Sequence, residues 1–228
     1  MQRLLTAIAL SLAAAAQAAP PARVEITYQL LHNGDAVAEV THLLEHDGRT
    51  YTLSERWAGR GLYAMLGGAQ RSSRGRVTPG GLRPQEYLDE RPGRNTASAR
   101  FSWKEQTLTQ QYRAEPQAQP LPPQAQDRLS FLYAPAFRAP AGKPLEYRVA
   151  DGKGVAHYVF DIAGRERLKL PWGEVDALRL VKREEGKDQR STQIWLDPAR
   201  SHLPLRVLVV QKDGTRVDQV AARIAAAP

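Results

Sequence analysis

The sequence predicts a mostly β fold: a strongly curved antiparallel sheet or half-open β-barrel with one or two short helices. Three observations predict it. Asn-Gly and Asp-Gly pairs recur between short apolar-alternating runs, at Asn33-Gly34, Asp47-Gly48 and Asp213-Gly214; such pairs favour tight hairpin turns, where φ > 0 is required. The runs are rich in Val, Ile, Thr and Tyr with period-two patterning. Helical periodicity is confined to one short stretch.

Taken in order, Val24–His32, Val37–His46 and Arg49–Trp57 read as a three-stranded meander. Gly59–Gly68 is apolar, Gly-bounded and non-alternating, a short helix or a loop crossing the sheet. Gln70–Val77 and Leu82–Asp89 read as strands joined by Thr78-Pro79-Gly80-Gly81, with Pro84 pushing the second toward an edge. Thr96–Trp103 and Thr107–Arg113 form a hairpin. Residues 114–126 hold four prolines and no periodicity, and read as an extended Pro-rich crossing inside one β-rich domain spanning 19–228. Asp127 is placed to cap a helix carrying Leu129, Leu132 and Tyr133, with Pro135 ending it. Leu145–Ala150, Val155–Ala163, Glu166–Leu170, Ala177–Arg183, Ser191–Leu196, Pro204–Gln211 and Thr215–Ile224 complete about fourteen expected strands.

The N-terminus reads as a leader. Arg3 gives a positive start, Leu4–Ala16 an apolar run, and Ala16-Gln17-Ala18 a small-x-small cleavage site. Cleavage after Ala18 is expected, so residues 1–18 are a signal peptide and the mature protein is periplasmic. No second apolar run of about 18 residues exists, so no membrane span is expected. Cysteine is absent, which excludes disulfides, thiolate nucleophiles and acylation at cysteine. Lys and Arg number 32 against 24 Asp and Glu, and without Arg3 the balance is +7. The excess favours anionic partners. It also fits ordinary use of Arg on exposed strand faces. No basic run is interleaved with aromatics, so nucleic acid is not an expected partner.

Motifs for chemistry are few. His42-Leu43-Leu44-Glu45-His46 matches an inverted zinc-protease pattern. In a strand, however, positions four apart lie roughly 13 Å from each other, too far for two nitrogens to share one zinc at about 2.1 Å each. No nucleophile elbow or phosphate loop is present. Glu45, Glu55, Asp89 and Glu90 read as solvated strand carboxylates. The expectation is a protein without metal, cofactor or catalytic activity. The large apolar residues Trp57, Leu62, Tyr63, Met65, Trp103, Phe131, Leu132 and Tyr133 are the candidate ligand-binding set, lining an apolar cavity or filling a core. Arg60, Arg71 and Arg74 are candidate rim residues for an anionic headgroup.

The run Phe160–Leu168, then Leu170-Pro171-Trp172-Gly173-Glu174-Val175, then Trp195-Leu196-Asp197-Pro198 with Leu203-Pro204-Leu205-Arg206-Val207 resembles domain-of-unknown-function family 3108. Tyr28, Asn33-Gly34, Ala38-Glu39-Val40 and Asp127-Arg128-Leu129-Ser130 fit the same family. The resemblance implies an exported envelope protein and supplies no catalytic residues. The Trp-Leu-Asp-Pro and Leu-Pro-Leu-Arg stretch is also similar, as a fold, to periplasmic lipoprotein carriers, half-open barrels with a helical lid over an apolar cavity. The Pro-rich crossing departs from that pattern. The expected partner is a lipid, acyl chain or lipoprotein segment; the alternative is an envelope protein bound through a sheet edge.

Overall fold

A computed structural model describes residues 19–184 and 190–227, without the side chains of residues 62, 63 and 66. The expected leader, residues 1–18, lies outside the described residues. Fifteen strands form one curved, open sheet. The N-terminal half contributes β1 (Arg23–His32), β2 (Asp35–His46), β3 (Thr50–Gly59), β4 (Gln70–Thr78), β5 (Gly81–Glu90), β6 (Ala97–Ser102), β7 (Thr107–Gln111) and β8 (Gln117–Pro120). The C-terminal half contributes β9 (Ala125–Asp127), β10 (Leu145–Ala150), β11 (Val155–Leu170), β12 (Gly173–Lys182), β13 (Ser191–Asp197), β14 (Leu203–Val210) and β15 (Arg216–Ala227). Helix α1 (Ser130–Phe137) follows β9, and 3-10 turns cover Gly61–Leu66 and Pro198–Arg200.

The first strand, β1, lies in the middle of the sheet. The chain meanders outward from β1 to the edge strand β8, crosses to the opposite edge at β9, and meanders back until β15 pairs with β1. Every neighbouring pair is antiparallel except β9 and β10, which run parallel. The crossing is the Pro-rich stretch expected at 114–126, and it carries β8 and β9 within it. The two expected strands Val155–Ala163 and Glu166–Leu170 are one long strand, β11, with a register irregularity between Ile162 and Gly164.

Local chemistry accounts for the turns. Asn33 and Gly34 both have positive φ, 52° and 98°, as a two-residue hairpin turn of this twist requires. At Asp47-Gly48 only the glycine does, at 79°; there Asp47 Oδ1 accepts from the Arg49 and Thr50 N–H groups at 2.8 and 2.6 Å, an Asx turn.

The rolled sheet brings its two edges together through side chains. Residues 81–84 of β5 pair with β4 but have no ladder to β6, so Pro84 sits where its missing N–H does no harm. The carbonyls exposed there find other donors: Gln126 Nε2 bonds Leu82 O at 2.8 Å, and Trp103 Nε1 bonds Pro84 O at 2.6 Å. Gly152, in the β10–β11 turn, lies so close to β6 that a Cβ would meet Ser98 N at 2.6 Å. Its N–H donates to Gln110 Oε1 of β7 at 3.1 Å.

Helix α1 lies inside this roll, with Ser130 through Ala136 all buried. Its neighbours include β5, β9 and β14. A helix apolar all round is stable only where every side is covered. Pro135 does not end it; the helix continues to Phe137. A proline in a helix interior removes one backbone donor and crowds the carbonyl four residues back, a local cost that burial of the helix from Ser130 to Ala136 offsets. The helix ends when Arg138 becomes extended, its N–H bonded to Ala134 O at 3.0 Å.

Candidate functional site

The helix is anchored at its N-terminus by Asp127. Asp127 Oδ1 accepts from Leu129 N and Ser130 N at 2.8 and 2.9 Å, and Ser130 Oγ accepts from Asp127 N at 2.9 Å. This reciprocal pattern satisfies donors that a helix start leaves open. The other carboxylate oxygen, Oδ2, accepts from Ser73 Oγ of β4 at 2.6 Å, and Tyr51 OH lies 3.0 Å from the same hydroxyl. The anchor thus joins the C-terminal edge strand to the N-terminal half. Complete burial pushes the Asp127 carboxyl up to about 6, against the pull of the hydrogen bonds from Ser73, Ser130 and Leu129.

The helix faces two unlike walls. On one side Phe131 meets Tyr147, Tyr158 and Phe160 at ring-centroid distances of 6.2, 5.7 and 6.2 Å. These partners come from β10 and β11, and the spacing is that of favourable aromatic pairs. On the other side Tyr133 OH lies 3.1 Å from His42 Nδ1. His42 begins a polar row that crosses four strands.

That row is set by sheet register. His42 of β2 is the direct partner of Glu55 in β3, Glu55 of Arg71 in β4, and Arg71 of Asp89 in β5. All four face inward. His42, Glu55 and Asp89 are 1%, 3% and 6% exposed, and the Arg71 side chain is 11% exposed. His42 Nε2 lies 3.0 Å from Glu55 Oε2. Glu55 Oε1 accepts from Trp57 Nε1 and Arg71 Nη1, both at 2.6 Å. Arg71 Nε lies 3.2 Å from Asp89 Oδ2, and Arg91 closes the row by donating twice to Asp89 at 2.9 Å. In the neutral imidazole, Nε2–H donates to Glu55 and Nδ1 accepts from Tyr133.

Buried charges survive only when paired, and the shifts show the pairing winning. Burial raises Glu55, but the His42 hydrogen bond and the Arg71 charge hold its carboxyl at about 2. Burial likewise raises Asp89, and Arg91 and Arg71 carry it below the usual carboxylate range. Burial lowers Arg71, and Glu55 first among its neighbours drives it above the ordinary arginine value. Arg71 Nε, although beside Asp89, lacks hydrogen-bond alignment, and Tyr87 OH has no partner. Each charge in the row is compensated by its neighbours, so the arrangement fixes position rather than presenting a free acid or base.

The candidate ligand-binding residues divide. Phe131, Leu132 and Tyr133 lie together on α1, buried. Trp57 joins the same hydrogen-bond chain as Tyr133 through Glu55. Trp103 lies elsewhere, under the Arg83 guanidinium at 5.1 Å from its ring. Met65 is 85% exposed. Leu62 and Tyr63 fall in the 3-10 turn Gly61–Leu66, and their side chains lie outside the described residues. Of the candidate rim arginines, Arg60 pairs with Glu39 at 3.4 Å and Arg74 with Glu86, both at the surface. Arg71 is interior, not at a rim. Of the carboxylates read as solvated, Glu55 and Asp89 are buried, while Glu45 and Glu90 are exposed. The histidines of the zinc-like pattern are on β2 and have separate partners: His46 Nε2 lies 2.9 Å from Pro20 O, and its ring packs against Phe137. Among the described residues no three His, Asp or Glu gather as a metal site, and no helix is long and apolar enough to cross a membrane.

No curated protein matches the chain. Among solved structures, it is similar to a β-barrel-like protein of domain of unknown function DUF1849 from Brucella abortus, at 10% identity and a TM-score of 0.61, covering 92% of this chain and 100% of that one. That likeness concerns the fold alone. A provisionally named lipoprotein from Parabacteroides distasonis aligns over 92% of this chain and 96% of its own, at 8% identity and a TM-score of 0.37. Over residues 23–220 the sequence matches the family described as protein of unknown function DUF3108, and the chain belongs to that family.

Proposed function

We propose that this is a non-catalytic binding protein of the cell envelope, exported by its leader, that takes an apolar chain into the space α1 fills. The ligand is a lipid, an acyl chain or a lipoprotein segment. The observation that carries the reading is the helix itself. It is apolar all round, sits inside a rolled but unclosed sheet, and is followed by an exposed stretch over residues 141–144. A segment held by the Asp127 carboxyl at one end and by the Tyr133–His42 contact along its length, and followed by exposed chain, can leave without breaking any β ladder. Its departure uncovers the aromatic wall of Tyr147, Tyr158 and Phe160, where an acyl chain would recover burial worth roughly 25 cal/mol per Å². The compensated state of every charge in the polar row supports a binding role over a catalytic one.

Native mass spectrometry of the protein purified from periplasm without detergent tests this. A discrete added mass released by organic solvent is expected. A clean apo mass, with no uptake of fatty acid or lysophospholipid on titration, contradicts it.

A second reading has one observation in its favour. The edge strand β8 is exposed at all four residues, and an open edge can accept a strand from another envelope protein. It predicts a stable protein partner on crosslinking in the envelope.

A further inference from the structure

The outer face of β4, β5 and β6 holds a groove of about 860 Å³ that no part of the binding account uses. Five cations, Arg74, Arg76, Arg83, Arg100 and Lys104, line it against two carboxylates, Glu86 and Glu105. Register makes the arrangement unusual. Glu86 is the cross-strand partner of both Arg74 and Arg100, and its single carboxylate is shared between them. Arg76 and Arg83 are direct partners of each other. Both are exposed, and no ion pair to either is found among the described residues. Like charges directly opposite on a strand pair destabilise the sheet.

The backbone enforces this pairing. A bulge between Arg74 and Gly75 resets the register. At Gly75 the strands approach so closely that a Cβ would meet Arg83 O at 2.2 Å. Beside the arginine pair, Trp103 is held by its bond to Pro84 O and lies under the Arg83 guanidinium. An immobilised indole among guanidinium groups is suited to the headgroup level of a bilayer, where aromatic rings and cations both lodge.

We propose that this groove docks the protein on an anionic phospholipid surface, with Arg76 and Arg83 as the pair that meets lipid phosphate. The charge complementarity of an unneutralised arginine pair selects the occupant. The proposal does not depend on a ligand in the interior, and it is tested on intact vesicles, so either reading can fail alone.

The test is sedimentation of the full chain at low salt with phosphatidylcholine vesicles and with vesicles containing an equal part of phosphatidylglycerol. Binding only to the anionic vesicles is expected. Arg76→Gln with Arg83→Gln should lower it about thirtyfold, about fivefold for each charge removed, and Arg76→Lys with Arg83→Lys should retain most of it. A control at Arg165→Gln, on a different strand, should change it little. The glutamine pair should also raise the melting temperature, because it relieves repulsion; a merely structural pair would lower it. Equal binding to both vesicle types, no loss in the glutamine pair, an equal loss at Arg165, or binding of inorganic phosphate without binding of vesicles would overturn the proposal.

Discussion

The two halves of the sheet solve the same problem with opposite chemistry. In the N-terminal half, the inner face of β2 to β5 carries a row of four ionisable side chains, and their pairing holds the strands in register. In the C-terminal half, the inner face against the helix is aromatic and aliphatic, from Tyr147, Tyr158 and Phe160 to Leu180, Ile194 and Leu205. It holds buried charges of its own, but each has a separate role: Asp127 anchors the helix, Lys182 lies over the Tyr158 ring at 5.3 Å, Asp197 caps the Pro198–Arg200 turn, and Asp218 pairs with Arg206. The helix between them matches each wall with one aromatic side chain, Phe131 toward the apolar side and Tyr133 toward the polar side. The polar wall specifies alignment, since a one-residue slip would separate every pair in the row. The apolar wall is non-directional, and so suited to accept a different apolar occupant.

Losses on the polar and apolar sides should differ in whether an added apolar ligand restores them. Arg71→Met leaves Glu55 and Asp89 buried without their shared partner, and should destabilise by about 3–5 kcal/mol in urea unfolding. Phe131→Ala removes the aromatic contact with the apolar wall and should cost about 3–5 kcal/mol, part of it recoverable by an added apolar ligand that fills the space.

The anchor should appear in the pH dependence of stability. The folded-state value of Asp127, about 6, lies above its ordinary value of 3.8, so the native state holds its proton more tightly than the unfolded chain. Native stability should therefore fall as pH rises from about 4 to 6, by about 3 kcal/mol for this group. Asp127→Asn should flatten that slope. Glu55 acts in the opposite sense: its folded-state value, about 2, lies below 4.5, so its contribution is present above pH 4.5 and is lost as pH falls toward 2. Tyr133→Phe should cost about 1–2 kcal/mol by leaving His42 Nδ1 unpaired. The smallest effect should come from Arg206→Met in the apolar half. The Arg206 side chain is 25% exposed, so water can take its place beside Asp218, and a loss of about 1 kcal/mol is expected.

Much of this architecture could be read from the chain. Asn33-Gly34 marked a hairpin, the prolines of 114–126 a crossing, and Asp127 a helix start; Pro84 suggested an edge strand, whereas β5 lies between β4 and β6 and residues 81–84 lack a partner on the β6 side. The helix continued past Pro135 because tertiary burial of Ser130 through Ala136 outweighs the local cost of the ring. The polar row was missed because a single charged residue in an alternating strand resembles a solvated one. Parity held the missing signal: Glu55 lies between Leu53 and Trp57, two residues from each, and His42 between Val40 and Leu44. In each case the charge occupies the apolar set of positions, which faces the core. Joining His42, Glu55, Arg71 and Asp89 into one row needed the register of three ladders, which sequence alone does not contain. Trp103 packs against the core as a partly buried residue, and its indole caps the Pro84 carbonyl.

The central claim is that α1 occupies the ligand's place and leaves when the ligand enters. The chain has no cysteine, so a single Ala136→Cys reports on the helix without interference. Ala136 is fully buried, and its thiol should react slowly with a maleimide in the apo protein. The deciding measurement is that labelling rate on titration with a lysophospholipid below its micellar range. The account predicts saturable acceleration, with the thermal unfolding transition retained. A rate that stays at the apo value while the lipid is shown to bind would contradict it.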